Sequence, residues 1–272
     1  MHNQAVRPRA TRSRNHRRHE LLALNVLALF WLAAVGCGSE SRPSEDAVGV
    51  TPPGPITTNN ATDTWQPLAP DADFADHSLR DWADAWVRWS NAPTDCDLNP
   101  AFDVDGSMCN EFQPDDSPVF FLQAGDVNTV RTRCVVPSGK AIFVPLAGFY
   151  VDNAGREPAL DDAALEEEAN IWLDSVRDLT LAVDGAAVGG GLEPWTVAVV
   201  RSDYELPPEP NVYTCVGLPG VTGRIAPAYI GGAFVVLPPP ERGMHTIEYG
   251  GTLTTAQGDD ILSYVKATFM VQ

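Results

Sequence analysis

The chain has 272 residues, and its 36 acidic residues outnumber its 18 basic ones. The first 36 residues hold six arginines and one glutamate, so the remainder carries 12 basic and 35 acidic residues, a net charge of −23. A surface this acidic repels nucleic acids and anionic headgroups, which argues against nucleic-acid binding.

The N-terminal segment 1–36 has the layout of a signal peptide. An arginine-rich start precedes an apolar run over 21–36, which is shorter than the roughly 20 residues of a membrane-spanning helix. The run ends in Ala34-Val35-Gly36-Cys37, which resembles the lipobox of bacterial lipoproteins. The resemblance implies cleavage before Cys37 and lipidation of its sulfur, with palmitate-like acyl chains holding the protein on the membrane. A plain cleaved signal and an uncleaved anchor are the alternatives.

The predicted lipid anchor implies that the protein lies in the cell envelope and faces away from the cytoplasm. Gly38, where some lipoproteins carry an inner-membrane-retaining aspartate, favours the outer membrane. Arg17-Arg18 leaves the export route open between the general secretory and twin-arginine pathways, because Glu20 is unusual for the latter.

Four cysteines remain beyond Cys37, an even number that indicates two disulfides in an oxidising compartment. Three pairings are possible. We favour Cys109–Cys134, which closes a short loop, together with Cys96–Cys215, and each bridge would contribute roughly 3–5 kcal/mol. Zinc is the competing interpretation, but no Cys-x-x-Cys spacing occurs, and we predict no metal and no cofactor.

Residues 37–70 are rich in Ser, Thr, Pro and Gly, and we predict a disordered tether. A single domain is expected over 71–272.

The first predicted helix begins after Ser78, which can form a capping box with Asp81. It carries an apolar stripe at helical spacing, and Asp84 and Arg88 can pair on its opposite face. The three tryptophans of the stripe could form a sugar platform, but packing in the core is the favoured interpretation. The stripe consists of Leu79, Trp82, Trp86 and Trp89.

An irregular, acidic loop follows over 94–117, and Asp103-Val104-Asp105-Gly106 within it resembles part of a calcium loop. The EF-hand pattern fails at Ala101 and Phe112. A calcium site built from Asp103, Asp105, Asp115 or Asp116 is therefore an alternative to a solvated acidic loop.

The rest of the chain predicts strands and one more helix. A strand over 118–123 precedes a hairpin of strands over 130–136 and 140–144. Helical spacing then runs through Leu165, Ala169, Trp172, Leu173 and Val176, with Asp161 and Asp162 in the first turn and Arg177 in the last. Further strands are predicted at 179–183, 195–200, 233–237, 245–249 and 261–271, with a long loop over 207–228. The last strand carries apolar residues on both faces, which predicts a central position.

Many short strands with about two helices predict a mainly β protein, a single β-sandwich-like domain with decorating helices. From residue 77 onward the chain resembles a family of uncharacterised secreted bacterial and archaeal proteins. The resemblance lies in the tryptophan helix, in the segment from Arg133-Cys134 to Lys140-Ala141, and in the hairpin that starts at Gly243-Met244-His245-Thr246-Ile247. It supports the Cys109–Cys134 pairing and implies no catalytic residue.

No catalytic motif is recognisable: Gly-x-Ser-x-Gly is absent, and the only His-Glu pair, His19-Glu20, lies in the leader. We therefore expect a non-catalytic binding or surface module for a protein or polysaccharide ligand. The alternative is a secreted hydrolase acting on glycan or peptide, with its site between the loops 94–117 and 207–228 and His245 or an acid as base.

Mass spectrometry of the native protein should find a chain that begins at Cys37 and carries a diacylglycerol group. Cys37→Ser should abolish incorporation of labelled palmitate, because the thiol that forms the thioether bond to the diacylglycerol is lost. A chain that begins at Met1 with a free thiol at position 37 would contradict the predicted address.

Overall fold

The structure, a computed structural model, describes residues 65–125, 129–255 and 258–272. Cys37, the predicted signal peptide and most of the predicted tether lie outside this range. Three helices are described: α1 (Leu79–Asn91), α2 (Asp162–Asp174) and the short α3 (Val212–Cys215). The nine described strands are β1 (Val119–Phe121), β2 (Thr129–Val136), β3 (Ala141–Asp152), β4 (Arg177–Val183), β5 (Ala186–Ala187), β6 (Thr196–Leu206), β7 (Gly223–Leu237), β8 (Gly243–Thr254) and β9 (Asp260–Val271).

The strands form two mixed sheets, as expected for a β-sandwich-like domain. One sheet has four strands in the order β1-β3-β7-β6, and the other has five in the order β2-β9-β8-β4-β5. β1 runs parallel to β3 and β2 runs parallel to β9, whereas the other pairs are antiparallel. None of the described helices is long and apolar enough to cross a bilayer.

The four-stranded sheet is buried on both faces. One face of β3 and β7 packs against the five-stranded sheet, where Ile142, Val144 and Val235 meet Tyr249 and Phe269. The opposite face is covered by α1 and α2. This double burial explains why β3 and the second half of β7 are nearly continuous apolar runs.

Helix α1 forms as the sequence predicts. Ser78 and Asp81 make the reciprocal capping box, and Arg88 pairs with Asp84 at 2.9 Å. All three tryptophans of the stripe are at most 6% exposed, so the stripe packs in the core rather than forming an open sugar platform. Their partners in the four-stranded sheet include Phe121 and Phe234.

Helix α2 begins as predicted but ends earlier. The Asp161 side chain accepts a hydrogen bond from the backbone N–H of Ala164, which caps the first turn. The helix ends at Asp174, and Arg177 is the first residue of β4 rather than part of the last helical turn. Ser175 caps the C-terminal end of the helix, because its hydroxyl donates to the carbonyls of Trp172 and Thr254.

The predicted hairpin of β2 and β3 is wrong, because the two strands belong to different sheets. The turn at 137–140 carries the chain from the five-stranded to the four-stranded sheet. Each strand instead pairs in parallel with a strand distant in sequence. Local turn residues cannot distinguish a hairpin from such a crossing, since both need a sharp reversal followed by a buried strand.

β7 is much longer than the strand predicted at 233–237, and the predicted loop 207–228 contains its first residues. The strand runs through Gly231 and Gly232, residue types with low strand propensity. Gly232 has a φ of +127°, and a Cβ there would lie 2.1 Å from the carbonyl oxygen of Ala147 in β3. Only glycine permits this close approach of the two strands.

β9 lies inside its sheet, between β2 and β8, so its predicted central position is correct. Its two faces differ, however. Val265, Ala267 and Phe269 are buried between the sheets, whereas Leu262 and Met270 on the opposite face are exposed. The five-stranded sheet is therefore covered by the described residues on one face only, as antiparallel sheets often are.

Two disulfides form with the favoured pairing, Cys96–Cys215 and Cys109–Cys134. The second ties the acidic loop to β2, whose outer edge this loop also covers: the N–H of Thr132 donates to the carbonyl of Asp105 at 2.8 Å. Residues 65–70, placed in the tether by the sequence, contact the domain, since the Trp65 indole donates to the carbonyl of Pro238.

A buried polar network joins β3, β6 and α3. The Asp152 carboxylate accepts hydrogen bonds from the hydroxyls of Tyr204, at 2.6 Å, and Tyr213, at 3.3 Å. It also accepts one from the backbone N–H of Ala154. Burial raises the pKa of Asp152, because the low-dielectric core disfavours the charged carboxylate more than these hydrogen bonds favour it.

We expect Asp152 to make the folded protein less stable as the pH rises. Because its pKa is higher in the folded state than the ordinary 3.8, the folded state retains the proton that the unfolded chain releases. The stabilisation is complete below that ordinary value and is lost as the pH rises through the raised pKa. Asp152→Asn stays neutral, so its free energy of unfolding in urea should improve relative to the unsubstituted protein between pH 3 and pH 8.

Asp162→Asn is the matched control, because a hydrogen bond from Tyr229 lowers the pKa of this exposed carboxyl. Its stability difference from the unsubstituted protein should shift in the opposite direction below about pH 4 and stay constant above it. A pH-independent difference for Asp152→Asn would contradict the prediction.

Candidate functional site

A cavity of about 140 Å³ opens where the two sheets and the two long helices meet. α1 contributes Trp86 and α2 contributes Trp172, while the four-stranded sheet contributes the middle of β3. The five-stranded sheet contributes the start of β2 and the β8–β9 end of its C-terminal hairpin. The remaining wall comes from the acidic loop at 101–104 and from 123–125.

Aromatic side chains form much of the wall. Trp86 and Trp172 lie on different helices, Phe149 and Tyr150 are neighbours in β3, and Phe102 belongs to the acidic loop. Phe149 also contacts Trp172, with ring centroids 5.7 Å apart. An apolar, concave wall with a few polar groups is the usual composition of small-molecule sites.

Arg131 of β2 is the principal polar anchor of the site. Its side chain is only 3% exposed and lines the cavity. The guanidinium donates to three backbone carbonyls, those of Asp103, Gln123 and Ala124, and to the hydroxyl of Tyr249. It forms no salt bridge within the described part of the chain. Arg131 therefore fixes the acidic loop and the segment after β1 against the five-stranded sheet.

Tyr249 supports this anchor from β8. Its hydroxyl donates to the carbonyl of Gln123 at 2.7 Å and lies 3.4 Å from the guanidinium of Arg131. Burial raises the pKa of Tyr249 to about 12, so the phenol stays protonated and remains a donor at physiological pH.

Two cavity-lining residues carry buried polar atoms without a hydrogen-bond partner. One is the side-chain oxygen Oε1 of Gln123, an acceptor, and the other is the indole Nε1 of Trp172, a donor. Each unpaired buried group costs roughly 1–3 kcal/mol, and such groups are rare in folded proteins. Both atoms are almost fully shielded from solvent, so the concave, largely aromatic lining, and not this pair of atoms, marks the cavity as the candidate site.

Two of the four acids considered for calcium, Asp103 and Asp105, have other partners. Both carboxylate oxygens of Asp103 accept backbone N–H groups, at 2.8 Å from Gly106 and 3.1 Å from Met108, so this carboxylate organises its own loop. Asp105 pairs with Arg133 at 2.9 Å. Hydrogen bonds from Ser107 and then Arg133 lower the pKa of Asp105 to about 2. No group of three or more potential metal ligands occurs in the described ranges.

His245 does not lie at the cavity. Its Nδ1 is 2.8 Å from Asp184 and its Nε2 is 2.9 Å from the carbonyl oxygen of Glu241. With both ring nitrogens engaged, the imidazole has none free to take a proton from a substrate. The hydrogen-bonded arrangement is that of a structural histidine at the start of β8.

The disulfide Cys96–Cys215 joins the two loops between which the alternative hydrolase site is predicted. The cavity, however, uses only the first of them, at 101–104, and no described residue of 207–228 lines it. No pattern in the sequence predicts Gln123, Arg131 and Trp172 as site residues. They share no motif, and Trp172 lies more than 40 positions beyond the other two.

Comparisons with family models, with curated proteins and with solved structures found no match to this chain. The cavity therefore has to be interpreted from its own residues. Among the described residues that line it, the only acid is Asp103, and there is no histidine or cysteine.

Replacing Arg131 with Lys should lower the free energy of unfolding by about 2–4 kcal/mol, because one ammonium cannot serve four acceptors on three segments. Urea unfolding measures this loss. The control is Arg133→Lys, two residues along β2, where the side chain is 64% exposed and pairs only with Asp105. This control should change stability by less than about 1 kcal/mol. Equal effects of the two substitutions would contradict the role assigned to Arg131.

Proposed function

We propose that the protein is a lipid-anchored binding module that faces away from the cytoplasm, and that its cavity is the ligand site. The observation that carries the proposal is the concave, largely aromatic wall that both sheets, both long helices and the acidic loop build around the cavity. A bound ligand would cover this apolar surface, as in most small-molecule sites.

The composition of the cavity favours binding over catalysis. Asp103, the only acid among the lining residues that the structure describes, accepts backbone N–H groups on both carboxylate oxygens, and the hydroxyl of Ser90 donates to the carbonyl of Val87. A glycosidase needs two available carboxyl groups, and a serine hydrolase needs a base beside its nucleophile. Neither arrangement is present among the described residues of the wall, so a hydrolase acting on glycan or peptide is the weaker alternative.

The proposal also includes the cellular location of the protein and its family. The lipobox-like segment before Cys37 supports anchoring in the cell envelope, with the outer membrane favoured, and the disulfides suit an oxidising compartment. The described fold is compatible with the resemblance to secreted proteins of unknown role, and we propose membership of that family on the sequence motifs alone. The ligand would be a unit of a protein or polysaccharide, or a small solute.

Filling the cavity with a larger side chain should abolish ligand binding. Ala124, whose backbone bonds Arg131, lines the wall, so Ala124→Phe adds a ring to the cavity. The matched control is Ala187→Phe on the exposed short strand β5. The full chain and both variants should be applied to arrays of glycans, peptides and small ring compounds, with binding and product formation measured separately.

We expect binding without product formation by the unsubstituted chain and by Ala187→Phe, and loss of binding by Ala124→Phe. Turnover of any compound that requires the open cavity would establish the hydrolase instead. Binding that survives Ala124→Phe would show that the ligand site lies elsewhere.

A further inference from the structure

The outer face of the five-stranded sheet, which is turned away from the four-stranded sheet, carries most of the exposed apolar side chains. Five of the eight large apolar side chains that are exposed in the described part of the chain lie on it. Single exposed apolar residues are ordinary, but a group of them on one face is typical of an interaction surface. The five are Val130 of β2, Met244 of β8, and Leu262, Tyr264 and Met270 of β9.

The centre of this outer face has balanced charges, although the chain beyond position 36 has a net charge of −23. Lys266 of β9 lies opposite Glu248 of β8, and the two form an ion pair at 2.8 Å. The hydroxyl of Tyr264 donates to the other oxygen of the same carboxylate at 2.6 Å. Two copies of so acidic a chain repel each other through their net charge, and this repulsion is weakest where local charges cancel.

The order of side chains across the strands is self-complementary. At the level of the ion pair, a two-fold axis parallel to the strands and between β8 and β9 places the row of outward side chains against its own reverse. Lys266 then faces Glu248 of the second copy, and Val130 faces Ala182 of the second copy. Such reciprocal contacts are what a symmetric dimer interface requires. In the order β2, β9, β8, β4, the row is Val130, Lys266, Glu248 and Ala182.

The next two rows towards the end of β9 fit the same axis. Thr246 lies opposite Thr268, with the two hydroxyl oxygens 3.2 Å apart, and Met244 lies opposite Met270. Under this axis threonine faces threonine and methionine faces methionine. Hydroxyls both donate and accept hydrogen bonds, and flexible thioether side chains pack well against each other, so these uncharged rows tolerate like facing like.

The other two-fold axis in the plane of the interface, perpendicular to the strands, is disfavoured. It would place Lys266 against Lys266 and Glu248 against Glu248, and like charges at close range weaken binding. The parallel axis also keeps Trp65, the first described residue, at the same end of both copies, because Trp65 contacts His245 and Phe269 near the start of β8 and the end of β9. Two lipid anchors, which belong to the proposed function, would then leave the dimer on the same side.

We propose that two copies of the chain form a symmetric dimer through this outer face, with the two-fold axis parallel to the strands between β8 and β9. The ion pair within each copy becomes a ring of four alternating charges, and the apolar side chains around it are covered. Four neighbouring strands of about ten residues present a flat area of about 600 Å² per copy, which approaches the roughly 800 Å² per partner of a standard interface. The interface does not involve the cavity.

Exchanging the two charges one at a time tests the interface. Lys266→Glu leaves only negative charges in the central row, and Glu248→Lys leaves only positive ones. Each variant alone should dimerise about tenfold more weakly than the unsubstituted chain. An equal mixture of the two should recover dimerisation to within about threefold, because every charge then faces its opposite. This recovery would also show that both variants fold.

Sedimentation of the full chain, as cells process it, in density-matched detergent with micelles in excess measures the mass of the protein complex. The matched controls are Arg224→Glu and Glu205→Lys, because these residues lie opposite each other on β7 and β6 of the other sheet. They change the net charge by the same amounts and should dimerise as the unsubstituted chain does. Met270→Asp, which places a charge in the methionine row, should weaken the dimer at least about tenfold.

Three results would overturn the proposal. One is a chain that stays monomeric up to about 500 µM. Another is a dimer that survives both charge exchanges, since its interface then lies elsewhere. The third is a monomer in which Met244 and Met270 nevertheless resist oxidation by peroxide, which would show that residues outside the described ranges cover this face. A monomer that binds ligand in the cavity leaves the proposed function intact, and a dimer that binds none overturns only that function.

Discussion

The four-stranded sheet must bury both of its faces, and most of the architecture follows from that requirement. β3 and β7 are apolar on both sides, and exposing either side would forfeit about 25 cal/mol for each Å² of apolar surface. The five-stranded sheet covers one side, and α1 and α2 divide the other between them. The tryptophan stripe is the clearest consequence, because its three large rings pack against the sheet instead of facing solvent.

The cavity arises where these covering elements meet without filling the space. β3 passes along it, and both long helices and the five-stranded sheet contribute side chains, yet none of them occupies the centre. Arg131 holds the surrounding segments in place with hydrogen bonds to backbone carbonyls. The concave, largely aromatic wall that results is the physical basis for the role proposed for the cavity, because small-molecule sites commonly have this composition.

Local patterns predicted an element well where several sequence signals agreed. Helix α1 has a capping box, a helical stripe and an ion pair that all agree, and each is present. β7 shows the opposite case, because Gly231 and Gly232 weaken strand propensity and yet are needed for the close approach to β3. The hairpin prediction failed for a similar reason: a turn determines where the chain reverses, but the partner of a strand depends on which surface it can bury.

From the sequence alone came the mainly β class, the two long helices, the even number of cysteines beyond Cys37 and the acidic surface. These properties depend on composition, short-range periodicity and redox chemistry, which neighbouring residues express by themselves. The site is different. Gln123, Arg131 and Trp172 are separated by up to 49 positions in the chain and share no motif. Only the packing of two sheets and two helices brings their side chains to one wall, so only the tertiary structure could reveal it.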